Sequence, residues 1–240
     1  MLLHYDTETT GIPIAGQPSE HPGHPHIVSL SAVLDDDQGV ARRVMSVIVK
    51  PNGYRLEDFP EAFNVHGITT DVAMKYGVDL ADALEQFINL ARFADVLSSF
   101  SHHFDFKLLK IGCARILPTV GNAWREYLET KASICTMETA AHHLIGRKRI
   151  SLKNAFFEFF KTEIQKGKHG SLPDAYASRK IYYELKERGW LPPPTPLTRK
   201  VYDTPPPDPD ERPDVRRPAR SRARVEAAIG APVEELPGVA

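Results

Sequence analysis

Cysteine is scarce in this chain: Cys113 and Cys135 are the only two among 240 residues. Both lie in apolar contexts, KIGCARI and ASICTME, and read as small buried core residues. A disulfide framework and a cysteine zinc site are therefore not expected. No run of 18 apolar residues occurs, so no transmembrane helix is expected. The start, MLLHYDTETTG, has neither a basic n-region nor a long apolar stretch, so no signal peptide is expected and the location reads as cytoplasmic. Charge of one sign is also lacking. Lys+Arg is 30 and Asp+Glu is 31, a formal net charge of -1. The totals hold no global electrostatic grip on nucleic acid, and any basic surface must be local. No internal repeat is visible.

What is present is an ordinary globular composition, 42% hydrophobic and 25% charged. Proline is unevenly spread: 12 of the 20 prolines lie between Pro192 and Pro237. That stretch has few aromatics and mixed charge, and cannot bury enough apolar surface to offset the entropy of ordering. The expected organisation is a folded domain over residues 1–190 and a proline-rich disordered tail over 191–240. The spacing predicts strands over 2–8, 27–34, 43–50, 95–101 and 133–136. It predicts helices over 79–93, 104–116, 137–145, 151–160 and 174–188. Three sequential strands followed by alternating helix and strand indicate an α/β fold, a mixed central sheet with helices on both faces.

Asp6 and Glu8 are two apart on the first predicted strand, so both point to one face. Paired buried carboxylates are costly unless a cation neutralises them. Taken alone, D-x-E on a strand fits an exposed strand end as well as a metal site. Thr7, Thr9, Thr10 and Gly11 add hydroxyls and a glycine that lets backbone approach a ligand. Asp105 follows a predicted strand, at the end where α/β sites form; a helix-start Asp is the plainer reading. His169 lies on a loop flanked by Gly167 and Gly170, five residues before Asp174.

Four ordered motifs carry a family resemblance: DTETTG at 6–11, HGIT at 66–69, FD at 104–105 and H-x4-D at 169–174. The chain resembles the DEDDh branch of the DnaQ-like 3′→5′ exonucleases, over about residues 1–188. ICTMETA and SLKNAFFEFF are softer echoes of the same family. The resemblance implies a ribonuclease H-like fold and two Mg²⁺ or Mn²⁺ ions per site. It implies that Asp6, Glu8 and Asp174 hold the first ion, that Asp6 also touches the second, and that Asp105 supports the second through water. His169 would be the general base. Thr7, Thr9, Thr10, Gly11, His66, Ser101 and Phe104 would form the substrate-binding set. The chemistry agrees: all-oxygen carboxylate ligands suit Mg²⁺ or Mn²⁺ rather than Zn²⁺, and a neutral His is a competent base.

The chain departs from the family at several places. Ser101 stands where Asn is usual, Phe100 where His is common, Ser29 where the second strand usually carries Glu, and Ser171 where a small apolar residue is usual. None of these removes a predicted metal ligand. Among the remaining signals, His21, His24 and His26 read as a solvated loop. The pairs His102–His103 and His142–His143 read as surface or packing residues. Arg147, Lys148 and Arg149 form a basic turn, read as a solvated face or, with Lys107 and Lys110, as a phosphate-tracking patch. QFINLARF at 86–93 reads as core-packing helix. The expected function is a 3′→5′ exonuclease on single-stranded 3′ ends, of proofreading or repair type on DNA. RNA 3′ trimming of RNase T or oligoribonuclease type is the enzyme alternative. A non-catalytic nucleic-acid-binding or polymerase-docking module is the alternative of another class. The tail is expected to tether a polymerase or replisome partner, and no membrane partner is expected.

Overall fold

In the computed structural model, residues 1–164 and 170–196 are described. Leu2–Thr9 forms β1, Ile27–Asp35 β2, Ala41–Ile48 β3, Val96–Ser99 β4, Ala132–Cys135 β5 and Thr195–Pro196 β6. They make one mixed sheet in the order β3-β2-β1-β4-β5-β6. The first three strands pair antiparallel as a meander, and β4 and β5 run parallel to β1. Parallel pairing needs crossover connections, and helices supply them.

The helices are α1 (Pro60–His66), α2 (Thr70–Tyr76), α3 (Leu80–Ala91), α4 (His102–Ala114), α5 (Pro118–Glu129), α6 (Thr136–Ile145), α7 (Leu152–Phe160) and α8 (Ser171–Glu187). β2 is buried at every position, as expected for a strand covered on both faces. On one face Leu3, Tyr5, Leu30, Ala32 and Leu34 join Ala83, Leu84, Phe87 and Ile88 of α3 and Leu108 and Leu109 of α4 in the main apolar cluster. QFINLARF is thus core helix over most of its length. Burying a side chain such as Phe87, which is 0% exposed, is worth about 1.5–3 kcal/mol.

The other face is covered by α8 and is polar. Its far end, where Leu2 pairs with Asp35, holds a buried ion pair. Arg179 Nε donates to Asp35 Oδ1 at 3.0 Å and Oδ2 at 2.8 Å, and its Nη2 donates to the Gly39 carbonyl at 2.8 Å. Tyr183 Oη donates to Asp35 Oδ2 at 2.6 Å. Burial alone would raise the Asp35 pKa, but His4, 3.5 Å away, then Arg179 and Tyr183 outweigh it and hold the carboxyl below its ordinary range. Gly39 adopts φ +79°, and a Cβ there would meet the Tyr183 ring at 2.8 Å, so the β2–β3 turn is keyed against α8. His4, fully buried, packs edge-on against Tyr182 at 5.0 Å between ring centroids. Burial lowers its pKa and keeps it neutral.

Most predicted elements stand within two or three residues of their expected ends. The last helix starts at Ser171 rather than Asp174, which places Asp174 in its first turn. α1, α2 and α5 have no counterpart among the predicted elements. The HGIT motif turns out to be punctuation: Gly67 stops α1 in a left-handed conformation, φ +62°, and Thr69 caps α2 by accepting from Val72 N at 3.2 Å. β6 extends the described structure past residue 190, pairing with Ala132 and Ser133. The expected disordered tail lies, from residue 197 on, outside the described residues. Both cysteines are buried and free, as expected. His24 differs from the solvated reading: it is 2% exposed. Its Nδ1 accepts from Ile14 N at 3.2 Å and its Nε2 lies 2.8 Å from the Pro18 carbonyl, so it organises the β1–β2 loop from within. Among the described residues, no helix is long and apolar enough to cross a membrane.

Candidate active site

Asp6 and Glu8 leave β1 on the face covered by α8, and Asp174 comes down from the first turn of that helix. One carboxylate oxygen from each of the three lies within 4.8 Å of the others. Burial first, then the charges of Asp105, Asp174 and Glu8, hold the Asp6 carboxyl well above the usual range. Glu8 is pushed up to about 7 by burial, then by Asp174 and Asp105. Asp6 and Glu8 thus resist ionisation, and a trio of carboxylates at this spacing suits a hard cation.

Asp105, in the first turn of α4, is 3% exposed and lies outside that close trio. Both its oxygens are engaged. Thr7 Oγ1 donates to Oδ1 at 2.6 Å and Ser99 Oγ to Oδ2 at 2.8 Å. Burial raises its pKa to about 6, against the lowering effect of those two donors. Thr7 therefore spends its only proton on Asp105. Ser99 was not singled out in the sequence, although the hydroxyl run SSFS at the end of β4 was visible.

A register shift between Glu8 and Thr9 turns the chain at the end of β1. Thr9 Oγ1 then accepts from Gly11 N at 2.8 Å and also bonds the Gly11 carbonyl. Thr10 pairs with His26 through two bonds, its N–H to the His26 carbonyl at 2.9 Å and His26 N–H to its Oγ1 at 2.8 Å. His66 ends α1, which follows β3 at this same end of the sheet. It is 3% exposed. Its Nδ1 accepts from Ile68 N at 3.0 Å, which puts the proton of the neutral ring on Nε2. Burial lowers the His66 pKa and favours that neutral form. Nε2 is buried and makes no hydrogen bond. Ser101 stands at the N-cap position of α4 without a side-chain cap bond, and its carbonyl accepts from Phe104 N and Asp105 N. Phe104 is half-buried against the main core. His169 lies outside the described residues.

The basic candidates fall elsewhere. Arg147, Lys148 and Arg149 follow α6 as an exposed turn. Lys107 donates to the Gln17 carbonyl and Lys110 to Glu129.

A mixed sheet of this order, with acids converging at the carboxyl end of its first strand, is a ribonuclease H-like fold. The chain belongs to the exonuclease family whose model, RNase_T: Exonuclease, matches residues 3–182. Its fold is similar to that of E. coli exonuclease I in complex with a dT13 oligonucleotide, at 18% identity and a TM-score of 0.59, covering 78% of this chain and 40% of that one. It is also similar to exonuclease X in complex with 5′-overhanging duplex DNA, at 21% identity and a TM-score of 0.51, covering 79% of this chain and 94% of that one. A segment of 85 residues is 32% identical to the PAN2-PAN3 deadenylation complex catalytic subunit PAN2 of Eremothecium gossypii, over 34% of this chain and 7% of that subunit. The chain thus spans less than half of exonuclease I and a small part of PAN2.

Proposed function

We propose that the chain is a divalent-metal-dependent 3′→5′ exonuclease that removes nucleoside 5′-monophosphates from single-stranded 3′ ends, acting on DNA in proofreading or repair. The observation that carries this reading is the convergence of Asp6, Glu8 and Asp174 within 4.8 Å. In it, Asp6, Glu8 and Asp174 hold one Mg²⁺ or Mn²⁺, and Asp6, with Asp105 through water, holds a second. Bound there, the ions supply charge stabilisation and an activated water. Thr7 and Ser99 keep the Asp105 carboxylate oriented. The unpartnered Nε2–H of His66 donates to an oxygen of the terminal nucleotide. Thr9, Thr10 and Gly11 present hydroxyl and backbone to its sugar, and Ser101 and Phe104 flank it. His169 takes the proton of the attacking water. Water adds to phosphorus, the bond from phosphorus to the O3′ of the penultimate nucleotide breaks, and the phosphate leaves on the 5′ carbon of the terminal one.

Two oligonucleotide complexes among the fold neighbours support DNA as the substrate. The PAN2 likeness supports RNA 3′ trimming as the second reading. The intact acid set weighs against a non-catalytic docking module. In this reading the protein works in the cytoplasm, with residues 197–240 as a tether to a polymerase or replisome partner.

The test is digestion of matched 5′-labelled DNA and RNA strands with Mg²⁺, Mn²⁺ or EDTA. A ladder receding from the 3′ end, 5′-mononucleotide products and silence in EDTA are expected. Circular single strands cut as fast as linear ones would show an endonuclease, and faster loss of RNA would favour the second reading. His169→Ala should lower turnover by about 10²–10⁴ with Mn²⁺ affinity nearly unchanged. A loss of affinity as large as that of Asp174→Ala would make His169 a ligand instead.

A further inference from the structure

The N-terminal turn of α8 delivers Asp174, yet it lacks the usual means of fixing a helix start. Its N-cap residue is Gly170, which has no capping side chain. The turn is held instead by Ser171, three residues before Asp174. Ser171 is 3% exposed. Its Oγ lies 2.8 Å from Ser29 Oγ and 2.8 Å from Ser31 Oγ. Ser29 and Ser31 are the cross-strand partners of Glu8 and Asp6. In an antiparallel pair such partners stand side by side on one face, with Cβ atoms about 4.5–5.5 Å apart. One hydroxyl of α8 is thus pinned to the two residues that flank the two acids of β1.

The direction of the bonds follows from counting protons. Ser31 Oγ donates to Ser46 Oγ at 2.9 Å, and a hydroxyl has one proton. Ser171 must therefore donate to Ser31, and Ser29 to Ser171. The chain runs Ser29 to Ser171 to Ser31 to Ser46. All three buried hydroxyl protons are spent within it, so none neutralises an acid. A cationic or amide side chain at these positions would donate to the carboxylates and compete with a cation.

We propose that Ser171, anchored on Ser29 and Ser31, is a positioning residue that sets the Asp174 carboxylate against Asp6 and Glu8 for metal binding. This rests on the metal-binding reading of the three acids. The two residues read separately in the sequence as departures from the family, Ser29 and Ser171, are in this proposal one device.

The experiment measures Mn²⁺ binding to the full-length protein by titration calorimetry, with urea unfolding and single-turnover cleavage of a DNA strand on the same samples. Variants are Ser171→Ala, Ser171→Thr, Ser29→Ala, the Ser29→Ala/Ser171→Ala pair and Asp174→Asn. Ser171→Ala should weaken Mn²⁺ binding on the order of 10-fold, the usual worth of an outer-shell partner. Its unfolding midpoint should move little, and Ser171→Thr, which keeps the hydroxyl, should recover most of the affinity. The double variant should lose little more than Ser171→Ala alone, because the first change already breaks the chain. Wild-type affinity in Ser171→Ala, beside a clear loss in Asp174→Asn, overturns the serine proposal alone. Equal loss of affinity and stability, without recovery in Ser171→Thr, makes Ser171 merely structural and also overturns it. Unchanged affinity in Asp174→Asn overturns the metal reading itself, and the serine proposal with it.

Discussion

The two faces of β1 and β2 are built from alternate residues of the same strands, and they do different work. One face, Leu3, Tyr5, Leu30, Ala32 and Leu34, is sealed by α3 and α4 as an apolar core. The other lies under α8 and grades along its length. At the far end Asp35 is neutralised by Arg179 and Tyr183. Toward the other end, level with the acids of β1, Ser29, Ser31 and Ser171 satisfy one another. At the near end Asp6, Glu8 and Asp174 face each other with raised pKa values for the two on β1. Stability accumulates on the first face and at the far end of the second. The near end gives some of it up by crowding three carboxyl groups together.

The sharpest way to break this contrast is at the acids. Asp174→Ala or Asp6→Ala should lower hydrolysis on the order of 10³-fold or more, the loss of several kcal/mol of metal-derived stabilisation, and leave the fold intact. Near-normal single-turnover rates at saturating Mg²⁺ would erase the distinction between the two ends. Asp35→Ala should instead destabilise by about 3–5 kcal/mol in urea unfolding, because it strands a buried guanidinium. Asp35→Ala/Arg179→Met should lose much less. Equal losses in both would mean the pair is not acting as a pair.

The two ends also carry opposite pH signs. Carboxyls in an unfolded chain titrate near 4. The raised carboxyls at the site make the folded metal-free protein bind more protons than the unfolded chain. Their stabilising share is whole below pH about 4 and is lost as pH rises through the Glu8 value of about 7. Asp35, held low, does the reverse: its share is present above pH about 4 and lost as pH falls through its lowered folded value. Metal-free Glu8→Gln should therefore be more stable than wild type at pH 8 and gain nothing at pH 4. A constant difference across that range would refute the raised pKa. The smallest effect is expected from deleting residues 197–240. Melting temperature and cleavage of short strands should stay at wild-type values, and a drop in either would place the tail in the working domain.

β1 and β2 were legible as β-rich runs because they are buried almost throughout, and α3 was legible because its apolar residues recur at helical spacing. α5 was not legible: only Gly121 and Leu128 of its residues are buried, and such a helix leaves little apolar stripe. α1 and α2 are single short segments of 7 residues each. At the site, Asp6 and Glu8 were legible because i and i+2 share a face. Thr7 was grouped with the substrate set, whereas strand parity sends it across to Asp105. The Asp35–Arg179 pair spans 144 positions, and no local pattern announces such a partner. Ser29 and Ser171 each looked like a mild exception, since their meeting exists only once α8 is docked.

That docking ties the site to distant parts of the chain. Gly39 receives Arg179 through its carbonyl and lies close against the Tyr183 ring, so α8 is seated on the turn between β2 and β3. Contacts this distant in sequence are slow to form. Asp174 rides on the last helix to leave the ribosome among the described residues, and reaches Asp6 and Glu8 only when that helix locks down. A chain still in synthesis thus carries two of its three clustered acids and an incomplete blade. Whatever lifts α8 from the sheet therefore parts Asp174 from Asp6 and Glu8, and the trio exists only while that helix is seated.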